Sequence, residues 1–353
     1  LFAGFLNGQT YTFTNAGAEG REGPTQAQVD ANYSGTSLEG AVTINTQGIQ
    51  EWTVPADGIY SIKSLGASGG STNGGNGATI FGKFQFTKDK QLKILIGQKG
   101  ITSGGGGGSF VSDQLNNPII IAGGGGAGMS GYWALSNGSI SQDGNSGSKS
   151  SIAIDNGGTN GGAGGGNNCN NPRSGGAGGF SLNAVELAGG KSFINGGEGG
   201  LSNPSGKEGG FGGGGADRGG GGGYSGGGSG GCGSGIRVGG GGGSYNSGTD
   251  QNNTTGTNEG HGKVIITFLG AANEPPVISQ GTGPISKVTS EDTLTTFSTN
   301  ELNATDSDTN ASQLAWSLLS SPSNGTAIVD GNGSSPQVFT YQPNANYHGA
   351  DSF

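Results

Sequence analysis

Asp306 and Asp308 stand two residues apart in the run Ala304-Thr305-Asp306-Ser307-Asp308. On an extended segment alternate side chains share a side, so the two carboxylates would face the same way. A hard cation such as Ca²⁺ takes oxygen ligands of this kind. Glu274, Glu291 and Asp351 are the acids that would complete such a site. The competing reading is that these are ordinary loop acids, each closing a turn with nearby backbone.

Other reactive groups are scarce. Cys169 and Cys232 are the two thiols of the chain. An even pair is the pattern of a disulfide formed in an oxidising compartment, against the alternative of two unrelated thiols. His261 and His348 are far apart in sequence, and no Cys/His cluster has zinc spacing. The glycine runs contain no phosphate-binding loop ending in Gly-Lys-Ser/Thr, and no Ser/His/Asp arrangement has a recognisable context. The expectation is a non-enzymatic chain without a cofactor, Ca²⁺ excepted. With a net charge of −9 and no basic stripe evident in the sequence to displace phosphate counterions, a polyanion, nucleic acid included, is not an expected partner. The apolar runs at 118–122 and 264–269 are too short to span a bilayer, which argues against direct membrane insertion. Leu1 and Phe353 both read as cut ends of a longer protein.

The elements that would position these groups are short strands. Thr10 to Thr14, Ala41 to Ile44, Glu51 to Pro55, Ile59 to Ile62, Ala78 to Phe84 and Leu92 to Ile96 are rich in β-branched and aromatic residues, with Gly and Asp turns between some of them. This spacing predicts a β-sandwich. Gln26 to Tyr33 predicts a short helix with Thr25 as its N-cap. Ile119 to Ile121 and Lys263 to Phe268 are further strands, so the glycine-rich stretch from about 66 to 248 is bracketed by strands of one sandwich.

Glycine supplies 84 of the 353 residues, while the hydrophobic types supply only 29% and the charged types 11%. Ordinary disorder couples low hydrophobicity to high charge, and this chain lacks the charge. The alternative to a floppy spacer is a bundle of polyproline-II-like helices, whose N–H and C=O groups point outward and pair with neighbouring segments. Each pairing is worth about 1 kcal/mol net, against about 1–2 kcal/mol of entropy per ordered residue. The lattice therefore needs a framing sandwich, a cross-link or aromatic caps. Phe110, Trp133, Phe180, Phe193, Phe211, Tyr224 and Tyr245 are candidates to cap it or to form an exposed binding surface. Arg21, beside Glu22 and Pro24, reads as a structural turn contact rather than a ligand anchor.

A composition shift at Leu269 to Pro276 divides the chain into a glycine-rich domain, 1–270, and a smaller β domain, 271–353. The string from Phe13 to Gln26, followed by Trp52-Thr53-Val54-Pro55, Gly97-Gln98-Lys99-Gly100, Gly104 to Val111, Ile119 to Gly126, Gly209 to Gly215 and Gly260 to Val264, resembles the glycine-rich extracellular region of anaplastic lymphoma kinase and leukocyte tyrosine kinase receptors. The resemblance spans about residues 10–269. It implies an all-β TNF-like sandwich with an inserted bundle of polyglycine-II-type helices and an extracellular, protein-binding role. The receptors carry more cysteines, and no kinase or membrane span accompanies the region here.

The tail resembles the cadherin-like, Ig-type repeats of large bacterial surface proteins. Asn273 to Val277, Ser290 to Thr293, Ala304 to Asp308, Pro322 to Thr326 and Phe339 to Tyr347 carry this resemblance. It implies Ca²⁺ at the acids named above, and a final strand begun by Gly349 to Phe353 and completed by later sequence or by another subunit. Together the two resemblances imply an extracellular bacterial adhesin, secreted or at the cell surface, whose glycine-rich head meets a cell-surface protein or glycan. A structural subunit of an extracellular filament, and so a homo-oligomer, is the alternative. A phage tail-tip adhesin is a second.

Overall fold

A computed structural model describes residues 8–70, 73–128, 133–149, 152–153, 155–166, 174–185, 187–203, 205–231, 235–280 and 284–353. Cys169 and Cys232 lie outside these residues, as does the side chain of Trp133. The chain divides into two compact units, Leu1–Gly270 and Ala271–Phe353.

Among the described residues the first unit has fourteen strands. In chain order they are β1 (Thr10–Phe13), β2 (Val42–Thr46), β3 (Ile49–Thr53), β4 (Gly58–Leu65), β5 (Gly77–Phe86), β6 (Gln91–Leu95), β7 (Ser109–Asp113), β8 (Pro118–Ala122), β9 (Ser148–Lys149), β10 (Ile152–Ala153), β11 (Arg237–Val238), β12 (Tyr245–Asn246), β13 (Thr254–Asn258) and β14 (Lys263–Gly270). One antiparallel sheet has the order β1-β14-β4-β5-β13 and another β12-β8-β7-β6-β3-β2; β9, β10 and β11 make a small third. Alternation explains the first sheet: Tyr60 and Ile62 on β4, Ile80 and Phe84 on β5, and Val264 and Ile266 on β14 all turn inward. They meet Trp52, Leu92, Ile94, Val111 and Ile120 of the second sheet in one core. Fully burying such side chains contributes about 1.5–3 kcal/mol each.

Helix α1 (Gln26–Tyr33) closes one end of this core with Val29 and Tyr33. Thr25 and Gln28 form the capping box: the Thr25 amide donates to Gln28 Oε1 at 2.9 Å and the Gln28 amide to Thr25 Oγ1 at 3.4 Å. Inside, Tyr33 Oη donates to Gln50 Oε1 at 2.7 Å and Gln50 Nε2 donates to Thr14 O at 2.8 Å, so these buried polar groups satisfy one another.

The second sheet is covered on its other face too, which is why Ile119-Ile120-Ile121 runs apolar without alternation. Ile49, Leu95, Phe110 and Ile121 pack there against Phe180, Phe193 and Phe211 from the glycine-rich part. Phe110, Phe193, Phe180, Tyr224 and Tyr245 form a continuous file with ring centroids 4.9–6.4 Å apart. The aromatic residues of the glycine region are thus mostly spent against the sandwich.

Beyond this file the glycine segments join through main-chain hydrogen bonds, with a period of three. Gly239 and Gly242 donate to Ala127 and Gly124; Gly240 and Gly243 donate to Gly228 and Ser225; Gly241 and Ser244 donate to Leu135 and Ser141, all at 2.7–2.9 Å. Residues i and i+3 thus reach the same stretch of chain while their neighbours reach others. The same holds at Gly105 and Gly108, which donate to Gly215 and Gly212, with Gly106 and Gly107 donating to Gly125 and Gln98. Side chains would destroy this packing: a Cβ on Gly106 would overlap Ser68 O, and one on Gly221 would overlap Gly124 O.

The second unit contains β15 (Val277–Ile278), β16 (Thr295–Thr296), β17 (Ala304–Thr305), β18 (Ala315–Ser317), β19 (Gly325–Asn332) and β20 (Val338–Pro343). They form a two-stranded sheet, β15-β17, and a four-stranded sheet, β16-β20-β19-β18. Leu314, Phe339 and Tyr341 are buried there, with the rings of Phe297 and Phe353 against Phe339 at 4.7 and 6.3 Å. The molecule is therefore almost all β, as the sequence predicts.

Candidate functional site

Of the acids predicted to hold a cation, Asp306 and Asp308 share one turn that the backbone of Glu274 joins, and Asp351 closes another. Asp306 Oδ1 accepts from the amides of Asp308 and Thr309 at 2.9 and 2.8 Å, which closes a local turn. Those backbone bonds hold the Asp306 carboxyl below its usual range. Asp308 Oδ2 accepts from the main-chain amide of Glu274 at 2.6 Å, so Glu274 meets this turn with its backbone. Asp351 accepts from the amides of Ser323 and Asn324 at 3.0 and 2.8 Å and from Tyr341 Oη at 2.8 Å. Glu291 lines an open cavity of about 430 Å³ together with Tyr341, the partner of Asp351, and with Tyr347 and His348. Among the described residues no three His, Cys, Asp or Glu side chains come together as a metal ion requires. Asp306 closes its own turn, while Asp308 and Asp351 accept from amides distant in sequence, so backbone hydrogen bonds engage these three acids.

Arg21 is a framework contact. Its Nη2 lies 3.0 Å from Glu198 Oε2 and its Nε donates to Gly199 O at 3.2 Å, while the Gly199 amide donates back to Arg21 O at 2.9 Å. The ring of Phe211 lies over Gly23 and Gly48 beside it, so closely that a Cβ on either glycine would overlap it.

Sequence reasoning missed a charged cluster inside the glycine run. Asp217 and Arg218 both have left-handed backbone, φ 38° and 62°. The buried Asp217 carboxylate accepts from Ser103 Oγ at 3.1 Å and lies 3.4 Å from Lys207 Nζ. The amides of Asp217 and Arg218 donate to Lys207 O and Ser103 O. The cluster thus clips two other segments to the lattice; two charged residues in the otherwise neutral run 211–224 are the signal that could have found it.

Where the glycine segments end, the chain exposes apolar side chains on stitched loops. Leu201 N donates to Leu187 O, Ala184 N to Gly190 O, and Ile194 N to Phe180 O. Asn183 Oδ1 accepts from the Ser192 amide at 2.7 Å and from Asn195 Nδ2 at 3.1 Å. These bonds hold residues 180–184 beside 190–195 and Leu187 beside Leu201. Leu182, Val185, Leu187, Ile194 and Leu201 are all exposed, Val185 by 97%. Solvent-facing apolar side chains on a held framework are able to serve as a contact surface. No helix among the described residues is long and apolar enough to cross a membrane.

Residues 273–353 match the family model described as bacterial Ig domain. The leukocyte tyrosine kinase receptor of Mus musculus is 35% identical over 99 residues, 26% of this chain. The chain covers 11% of the length of that receptor.

Proposed function

We propose that this chain belongs to a bacterial adhesin, secreted or held at the cell surface, with the glycine-rich unit as its binding head and the Ig-like unit as part of a stalk. The bacterial Ig domain of residues 273–353 favours a surface or extracellular setting. The partial likeness to a receptor agrees with a recognition role for the first unit. We infer further that the glycine segments are polyglycine-II-type helices. Three residues per turn bring i and i+3 to the same side, and the hydrogen bonds of residues 239–244 follow that period.

The observation that carries the reading is the apolar group Leu182, Val185, Leu187, Ile194 and Leu201, held on loops at the end of a hydrogen-bonded framework. Rigid presentation lowers the entropy cost of binding, and exposed loops can vary without disturbing the support. The partner of this patch is a cell-surface protein offering an apolar surface of its own.

The test is adhesion of the whole chain to a panel of cells and immobilised matrix proteins, compared with a Val185→Asp/Leu187→Asp variant. Binding by the parent chain and its loss in the variant are expected. Absence of binding to every surface would overturn the proposal. Ordered polymers of the purified chain in light scattering would favour a filament subunit instead.

A further inference from the structure

The outward face of the first sheet differs in charge from the rest of the molecule. The chain carries 24 Asp and Glu against 15 Lys and Arg. Yet among the described residues no Asp or Glu occupies an outward position on β1, β14, β4 or β5. Three lysines do. Lys63 on β4 is paired in register with Ile265 on β14 and with Phe81 on β5. Lys263 stands opposite Leu65, and Lys83 opposite Ser61. Lys263, Lys63 and Lys83 therefore form one straight diagonal across three adjacent strands, with diagonal neighbours about 7–8 Å apart at the backbone.

Lys83 also lies 2.9 Å from Asp250 at the edge of the face, whereas Lys63 and Lys263 are exposed and have no ion-pair partner among the described residues. Lys63 and Lys263 therefore keep a local positive charge that a bound anion would offset. In a chain of net charge −9, it is also where an anion would be steered. β4 is the middle strand of five, so its main chain is already paired on both sides. An extended peptide adds to a sheet at an unpaired edge. A ligand of this face must instead be held by side chains: ammonium groups, the hydroxyl of Ser61, and the half-exposed Leu65, Phe81 and Ile265 that flank the diagonal.

We propose that this face binds an anionic polysaccharide, whose carboxylate or sulfate groups lie along Lys263, Lys63 and Lys83 and whose sugar hydroxyls and ring faces meet the residues between them. The inference rests on the adhesin reading and adds a ligand class at a second surface, separate from the apolar loops.

The experiment measures binding of the whole chain to polygalacturonate, heparin, neutral dextran and poly-glutamate. Binding to at least one acidic polysaccharide and none to dextran is expected. It should weaken by roughly tenfold or more as ionic strength rises from about 0.01 M to 0.15 M, because the screening length falls from about 30 Å to about 8 Å. A Lys63→Gln/Lys83→Gln/Lys263→Gln variant should lose about tenfold or more in affinity, while Lys93→Gln/Lys99→Gln/Lys191→Gln, with the same change in charge, stays within about twofold. Equal loss in both variants, no binding to either polysaccharide, or tighter binding to poly-glutamate would overturn the proposal. Salt dependence of the parent chain tests the charge requirement without substitution. If the polysaccharides fail while the chain still adheres to cells, this site falls and the adhesin reading stands; if adhesion fails as well, both fall.

Discussion

The amide of Gly242 donates to the carbonyl of Gly124 at 2.9 Å, joining two segments far apart in sequence through main chain alone. A Cβ on Gly242 would overlap Gly222 O, so even the smallest side chain must push a backbone segment away. Gly242→Ala is expected to destabilise the first unit by about 1–3 kcal/mol, the usual range for overpacking. Gly165→Ala is the control, because its added Cβ would find nothing nearer than 3.4 Å. Thermal unfolding of the two variants separates them; equal melting temperatures would refute the packing argument.

Arg21 is tied to Glu198 at 3.0 Å with both side chains about a third exposed, 30% and 36%. Pairs of that exposure contribute about 1 kcal/mol or less. Arg21→Ala should therefore lower stability modestly, and less so at high salt, without changing adhesion. Loss of adhesion with unchanged stability would instead make Arg21 part of a ligand site.

His261 Nδ1 accepts from the Lys99 amide at 3.2 Å. Burial holds its folded pKa below the ordinary value; the Glu19 carboxylate opposes that shift and Lys99 adds to it. A depressed histidine pKa means that folding favours the neutral ring. Its contribution is fully present above about pH 6.5 and is lost as pH falls through the lower folded value. The melting temperature should decline on acidification below pH 6.5, before the carboxylates titrate. His261→Gln should flatten that decline, and an unchanged pH profile would contradict the assignment.

In the second unit, Tyr341 Oη donates to Asp351 Oδ2 at 2.8 Å. Burial, then the bond and charge of Asp351, push the Tyr341 phenol up to about 12. Burial tends to raise the Asp351 carboxyl, but the Tyr341 hydroxyl and the amides of Asn324, Ser352 and Ser323 outweigh it and leave it lowered. This stabilisation is therefore present above the ordinary carboxylate range and lost as pH falls through the lowered value. Asp351→Asn should bring the ionisation of Tyr341 down in an ultraviolet titration and reduce the urea midpoint of the second unit. No change in either would show that Asp351 does not close the turn at Ser323 and Asn324.

Side-chain periodicity made the sandwich legible. The alternation of Tyr60 and Ile62, the helix Gln26–Tyr33 and its cap Thr25 stand where their residue types predict. β13 was hidden because Thr254–Asn258 has no apolar member, and β19 because Gly325–Asn332 begins and ends in turn-forming residues. The partners of the glycine amides were not legible: a residue without a side chain carries no pattern to say that Gly239 meets Ala127 and Gly240 meets Gly228. The Asp306/Asp308 pair was ambiguous because a carboxylate that closes a turn and one that holds a cation look alike in sequence. The lysine diagonal needed the strand register, since Lys63, Lys83 and Lys263 fall on three strands from distant parts of the chain.

Everything proposed for the first unit depends on glycine amides that are satisfied by other segments rather than by water. Amide hydrogen exchange of residues 105–108, 123–127 and 239–244 measures this directly. Protection approaching that of β4 and β14 is expected, because these amides should open only with the unit as a whole. Exchange at the rate of an unstructured chain throughout these residues would contradict the account.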